Sequence, residues 1–155
     1  MKTFNIAPLT EEEKEMITTW KYPGDYAMYD LPNAEEMKKA QMGFYDPHKS
    51  KNYYGLHLND TLVGFTKILP EEKEVFIGIG IDPKQCDQGY GSLFLNKIYS
   101  LAKKRYPDKS LYLEVRSWNK RAINCYKKAG FIIAGEPFAQ TTKIGIGSFY
   151  RMVKD

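Results

Sequence analysis

The chain has 155 residues, 43% of them hydrophobic and 27% charged, and its 23 basic and 19 acidic side chains give a formal net charge of +4. That length fits a single domain over residues 1–155, able to bury roughly 70% of the surface of its unfolded chain, and no apolar run approaches the ~18 residues of a membrane span. Charges of both signs are interspersed, which argues against a nucleic-acid partner.

The first residues lack the apolar core of a secretory signal, so the expected location is the cytoplasm, with no membrane partner. Thr10 followed by Glu11, Glu12 and Glu13 predicts an N-cap with an acidic first turn and a helix running to about Trp20. Residues 20–29 form a loop around Pro23-Gly24 that carries Trp20, Tyr22, Tyr26 and Tyr29. These four could line an amine pocket, since aromatic faces attract a cation by ~0.5–2 kcal/mol, or simply pin the loop to the core. A short helix follows from Asn33 to about Gln41.

Residues 53–58 and 62–69 read as strands joined by a turn at Asn59-Asp60, and residues 74–81 as a third strand. Gly78 and Gly80 inside that apolar strand call for a bulge or a close approach by a ligand. After Gly89-Tyr90-Gly91, Phe94, Leu95, Ile98, Leu101 and Ala102 recur at helical spacing up to Pro107. Leu111, Leu113 and Val115 alternate with Tyr112, Glu114 and Arg116, so this strand buries one face and turns Glu114 away from it. A helix from about Asn119 to Ala129 ends at Gly130, and strands in residues 132–135, 137–142 and 148–153 complete a mixed α/β domain.

Neither a Walker-type loop nor a Gly-x-Gly-x-x-Gly fingerprint occurs. Cys86 and Cys125 form no Cys-x-x-Cys pair and are expected to be free thiols; with no histidine near either in sequence, covalent catalysis is not expected. His48 and His57 show no ligand spacing, so no metal is expected. A turn such as Gly89–Ser92 can present backbone N–H groups at the positive end of a helix and hold a phosphate, although taken alone it fits a ligand-free turn equally well.

Together, Cys86-Asp87-Gln88-Gly89-Tyr90-Gly91 and Asn119-x-x-Ala122-x-x-x-Tyr126-x-x-x-Gly130-Phe131 resemble the pyrophosphate motif and the second block of the GNAT superfamily of acetyl-CoA-dependent N-acetyltransferases. The likeness is strong over residues 74–131. It departs from pattern at Cys86, where the family usually carries Gln or Arg. Because backbone N–H groups supply most pyrophosphate bonds, that departure bears on affinity more than on cofactor identity.

The resemblance implies a central mixed, splayed sheet of about six to seven strands flanked on both sides by about four helices, with acetyl-CoA in a central cleft. It assigns Cys86, Asp87, Gln88, Gly89, Tyr90, Gly91 and Ser92 to the pyrophosphate, Ile79, Gly80 and Ile81 to the pantetheine arm, and Asn119 to the cofactor. Tyr126, seven residues after Asn119 and so on the same helical face, takes the family role of general acid toward the coenzyme A thiolate; without the motif it would read as a core aromatic. Leu113-Glu114-Val115-Arg116 is similar to ribosomal-protein alanine N-acetyltransferases, where a glutamate here helps deprotonate the amine; its bland alternative is an ion-pair partner for Arg116 or a lysine. Residues 132–147 lack the Arg-rich, Tyr-Tyr segment of those enzymes, so the implied acceptor is a small amine or a protein N-terminus. The competing expectations are a regulatory module that binds acyl-CoA without turnover and a plain α/β domain with no cofactor.

Overall fold

Thr10 and Glu13 cap the first helix reciprocally. The Thr10 hydroxyl accepts the Glu13 N–H at 3.1 Å and the Glu13 carboxylate accepts the Thr10 N–H at 3.0 Å, which starts α1 (Glu11–Thr18) where the sequence predicts. The structure is a computed structural model that describes residues 2–86 and 88–155, so Asp87 lies outside the described residues. The chain divides into two compact units, Met1–Lys67 with Ile79–Asp87 and Ile68–Gly78 with Gln88–Asp155.

In the first unit, β1 (Phe4–Pro8), β2 (Tyr53–Leu58) and the part of β3 (Thr61–Pro70) up to Lys67 pair antiparallel in that order. Asn59 and Asp60 between β2 and β3 both have positive φ, 49° and 68°, as a tight hairpin turn with the twist of its strands requires. The Asn33 side chain accepts the Glu36 N–H at 2.9 Å and opens α2 (Ala34–Ala40), again as predicted. Ile17, Trp20, Met37, Phe44, Tyr53 and Leu62 form the core of this unit, with the Phe44 ring edge-on to Tyr45, Tyr53 and Phe65. β1 is the strand that the sequence does not announce: it is short, ends in Pro8, and pairs along β2 alone at the sheet edge.

In the second unit, β4 (Glu74–Ile81, the part up to Gly78) lies parallel to β5 (Ser110–Arg116), and β8 (Gly145–Lys154) pairs antiparallel with β5, β6 (Ile132–Ile133) and β7 (Phe138–Thr142). Helices α3 (Tyr90–Arg105) and α4 (Lys120–Lys128) bury Phe94, Leu95, Ile98, Ala102 and Ile123 in the core that holds Leu111, Leu113 and Val115. The strand order β1-β2-β3-β4-β5-β8-β6, with β7 also on β8, makes an eight-stranded mixed sheet. The α/β class is the one expected, with β1 as the strand beyond the six to seven anticipated. Among the described residues no helix is long and apolar enough to cross a membrane.

Glu13 has a second task. Its other carboxylate oxygen lies 2.5 Å from His57 Nε2 on β2, so one half-buried side chain caps α1 and ties it to the sheet. Burial pushes the Glu13 carboxyl up, but the bonds from Thr10 and His57 outweigh it and hold the pKa below the ordinary glutamate value of 4.5. A depressed carboxyl contributes stability that is full above the ordinary value and is lost as pH falls through the folded-state value. Glu13→Gln is therefore expected to lower stability by about 1–2 kcal/mol at neutral pH, and the difference in thermal melting between variant and parent should shrink as the melts are taken toward acid pH.

Candidate active site

In the second unit, the chemistry-bearing side chains stand on β5 and α4, next to the start of α3. Period-two alternation buries Leu111, Leu113 and Val115 and leaves Tyr112, Glu114 and Arg116 half-buried on the opposite face. The parallel ladder pairs Glu74–Phe76 with Ser110–Tyr112, and both strands run on beyond it, β4 to Ile81 and β5 to Arg116. Glu114 therefore lies past the last pair of that ladder. Burial raises its pKa, a hydrogen bond from the Gln140 side chain opposes the rise, and the Glu71 carboxylate adds to it; the net shift is upward. Tyr112, whose hydroxyl donates to Glu71 at 2.8 Å, is also pushed up, by burial first and then by Glu71. Glu114 lies opposite Arg151 in the β5–β8 register, while Arg151 bonds Glu74 and stacks 4.1 Å from the centre of the Tyr112 ring. Arg116, the ion-pair partner that the sequence offers for Glu114, donates to Thr142 Oγ1 at 3.2 Å.

The start of α3 differs from the other helix starts. Thr10, Asn33 and Asn119 each accept a backbone N–H in the first turn of α1, α2 and α4, whereas α3 opens on Gly89 with no side-chain cap and no acidic residue in its first turn. Gly89 has φ +78°, and among the described residues a β-carbon there would meet nothing within 4 Å, so glycine is set by the backbone. Lys103, Lys104 and Arg105 in the last turn complement the helix dipole at its other end. Gln88 and Gly89 are exposed, the Tyr90 side chain is buried, and the Ser92 hydroxyl donates back to the Gly89 carbonyl at 3.3 Å.

Gly91 has a packing reason of its own. A β-carbon on it would sit 2.7 Å from the Cys125 sulfur on α4, so the second glycine of the motif lets α3 and α4 approach. Asn119 is buried, and its Oδ1 accepts the Ala122 N–H at 3.0 Å, which fixes where α4 starts and hence where Tyr126, half-buried two turns later, projects. Neither Cys86 nor Cys125 is in a disulfide.

In the first unit, Ile79, Gly80 and Ile81 are half-buried at the end of β4. A β-carbon on Gly80 would lie 2.5 Å from the Phe65 ring, so packing within the protein is a third reason for a glycine here, beside the bulge or close ligand that the sequence suggests. The Ile81 carbonyl accepts the Tyr22 hydroxyl at 2.8 Å and the Cys86 thiol at 3.8 Å. Trp20 is 8% exposed, inside the core beside Phe65, which corrects its expected place in an amine pocket. Tyr22 pins its loop, through the Ile81 bond and through its N–H to the Asp30 carboxylate at 2.9 Å. Tyr26 is half-buried, Tyr29 is 37% exposed, and both stand on a 3₁₀ turn over Gly24–Tyr29. Gln140 and Glu71, the groups that set the surroundings of Glu114, are absent from the sequence-derived site; the alternation of residues 138–142 was the available signal for Gln140.

A model of the acetyltransferase (GNAT) family matches residues 14–131. Among solved structures, the chain is similar to an acetyltransferase (GNAT family) from Bacillus anthracis, with TM-score 0.81 and 14% identity over 97% of this chain and 93% of that one. The ribosomal-protein-S18-alanine N-acetyltransferase from Escherichia coli gives TM-score 0.66 and 22% identity over 97% and 92%. Spermidine N-acetyltransferase from Vibrio cholerae, solved with CoA and spermine, gives TM-score 0.76 and 14% identity over 97% and 94%. At these identities the structural likeness shows the fold. No sequence among curated proteins matches.

The Gly91 contact yields a prediction. Gly91→Ala should cost about 1–3 kcal/mol by overpacking against the sulfur, and Cys125→Ala in the same chain should recover a large part of that loss. Equilibrium unfolding of the two single variants and the double variant checks the coupling; strict additivity would contradict the contact.

Proposed function

Because the chain belongs to the acetyltransferase (GNAT) family, whose cosubstrate is acetyl-CoA, we propose that it transfers the acetyl group to a primary amine by direct attack through a tetrahedral intermediate. The acceptor is a small amine or a protein N-terminus. The start of α3 carries this reading: among the described residues its first turn has neither a side-chain cap nor an acidic residue, and nothing lies within 4 Å of where a β-carbon on its left-handed glycine would be. Such a terminus suits a pyrophosphate, which it holds by backbone N–H groups and the helix dipole without a cationic side chain. Gly89, Tyr90, Gly91 and Ser92 contribute through their backbone, and Gln88 and Cys86 flank them.

Ile79–Ile81 offers the backbone of an extended strand to the pantetheine arm, which would add to it as a further strand does. The Ile81 carbonyl is already bonded to Tyr22, so the N–H groups of this segment are the ones proposed to serve. Glu114 accepts a proton from the amine, directly or through one water, and its raised pKa suits a base that works near neutrality. The nitrogen lone pair then forms the C–N bond, the C–S bond breaks as the intermediate collapses, and the Tyr126 hydroxyl delivers its proton to the departing thiolate. Asn119 positions Tyr126 by capping α4.

Thiol release from acetyl-CoA with spermidine, kanamycin and an alanine-initiated peptide tests the reading. Turnover with at least one is expected. Tyr126→Phe should lower kcat by ~10²–10⁴-fold and Glu114→Gln should remove the acid limb of the kcat/KM profile. Coenzyme A binding without turnover of any amine would replace catalysis by a regulatory acyl-CoA module.

A further inference from the structure

Among the described residues, Arg116 is a half-buried cation with no carboxylate partner: the one hydrogen bond of its side chain runs from Nη2 to Thr142 Oγ1 at 3.2 Å. A guanidinium carries five N–H donors in a rigid fork and stays charged at any ordinary pH, so most of these donors are left over. The group is nonetheless held in place. Its central carbon lies 4.8 Å from the centre of the Phe149 ring, which is itself stacked on Phe138 across the β7–β8 ladder with centroids 6.1 Å apart. A β-carbon on Gly147 would sit 2.4 Å from Nη1, so the bare backbone of β8 gives the guanidinium its resting place. Thr142 is fixed by the hairpin turn, where it donates to the Gly145 carbonyl at 2.9 Å and accepts the Ile144 N–H at 3.4 Å.

A charge drawn partly out of water is costly until an opposite charge meets it. Arg116 shares its strand face with Glu114, two residues and ~6.6 Å away along β5. No ion pair joins the two among the described residues, so a negative and a positive group stand side by side. That pattern is complementary to a molecule with an ammonium at one end and a carboxylate at the other. We infer that Arg116 sets the class of acceptor: it binds the carboxylate of an amino acid whose amine, a short chain away, is presented to Glu114. This rests on acetyl transfer with Glu114 as the base. A carboxylate suits the group because its two oxygens match the N–H fork, and such charge-assisted bonds are stronger than neutral ones.

The test compares ω-amino acids from β-alanine to 6-aminohexanoate with their amides, which keep the amine and lose the carboxylate charge. In 15N-labelled protein saturated with coenzyme A, the Arg116 Nε–H signal, assigned by its loss in Arg116→Lys, should move with at least one acid and stay in place with the matching amide. In thiol release from acetyl-CoA, kcat/KM for that acid should exceed that of its amide by ~10–10²-fold, the size expected of a charge-assisted hydrogen bond. Arg116→Met should bring the ratio close to one. If the methionine variant does not fold, Gly147→Ala makes the same test: its methyl displaces the flexible end of Arg116 and should lower the acid-to-amide ratio without removing the charge. A ratio near one in the parent, an Arg116 signal that no acid moves, or equal losses for acid and amide in a folded variant overturns the inference. A signal that moves with the acid while neither acid nor amide is acetylated supports the carboxylate site and overturns the acetyl-transfer reading instead.

Discussion

The alternation of β5 is the constraint from which the rest of the site follows. Leu111, Leu113 and Val115 lie 0–4% exposed among α3, α4 and β8, and burying side chains of this size contributes about 1.5–3 kcal/mol each. A strand has two faces and a period of two, so burying those three residues obliges Tyr112, Glu114 and Arg116 to share the opposite face. A slip of one residue would exchange the sets and place a carboxylate and a guanidinium in the apolar core. The position of Glu114 is thus held by the hydrophobic energy of its neighbours.

The same economy governs the helices. Asn119 spends its side-chain oxygen on the first turn of α4 and thereby fixes the projection of Tyr126, while α3 begins on Gly89 without a side-chain cap. The absence of a side chain at Gly91 is required by the fold, since the Cys125 sulfur occupies the space a larger residue would need. Motif glycines can therefore mark two different requirements one residue apart: a backbone angle at Gly89 and a close approach at Gly91.

Much of this was legible in the sequence because it is local. Helix caps at Thr10, Asn33 and Asn119 are written within four residues of the N–H groups they accept, and the Asn59-Asp60 turn needs only the flanking strands. What the sequence hid depends on register between distant segments. Phe65 against Gly80 and Trp20 beside Phe65 in the core are contacts whose partners lie 15 and 45 positions apart. The aromatic loop shows the difference well: composition alone allowed an amine pocket or a pinned loop, and the Tyr22 bond to Ile81 together with the buried Trp20 decides for pinning at those two residues.

The central claim is that backbone N–H groups at the start of α3 and the end of β4 receive the cofactor. Amide chemical shifts of 15N-labelled protein titrated with coenzyme A test it most directly. The account predicts that the largest shifts fall on residues 79–81 and 88–92, with dephosphorylated pantetheine moving the first group and leaving the second near its starting positions. Coenzyme A binding that leaves the amides of residues 88–92 unmoved would contradict it.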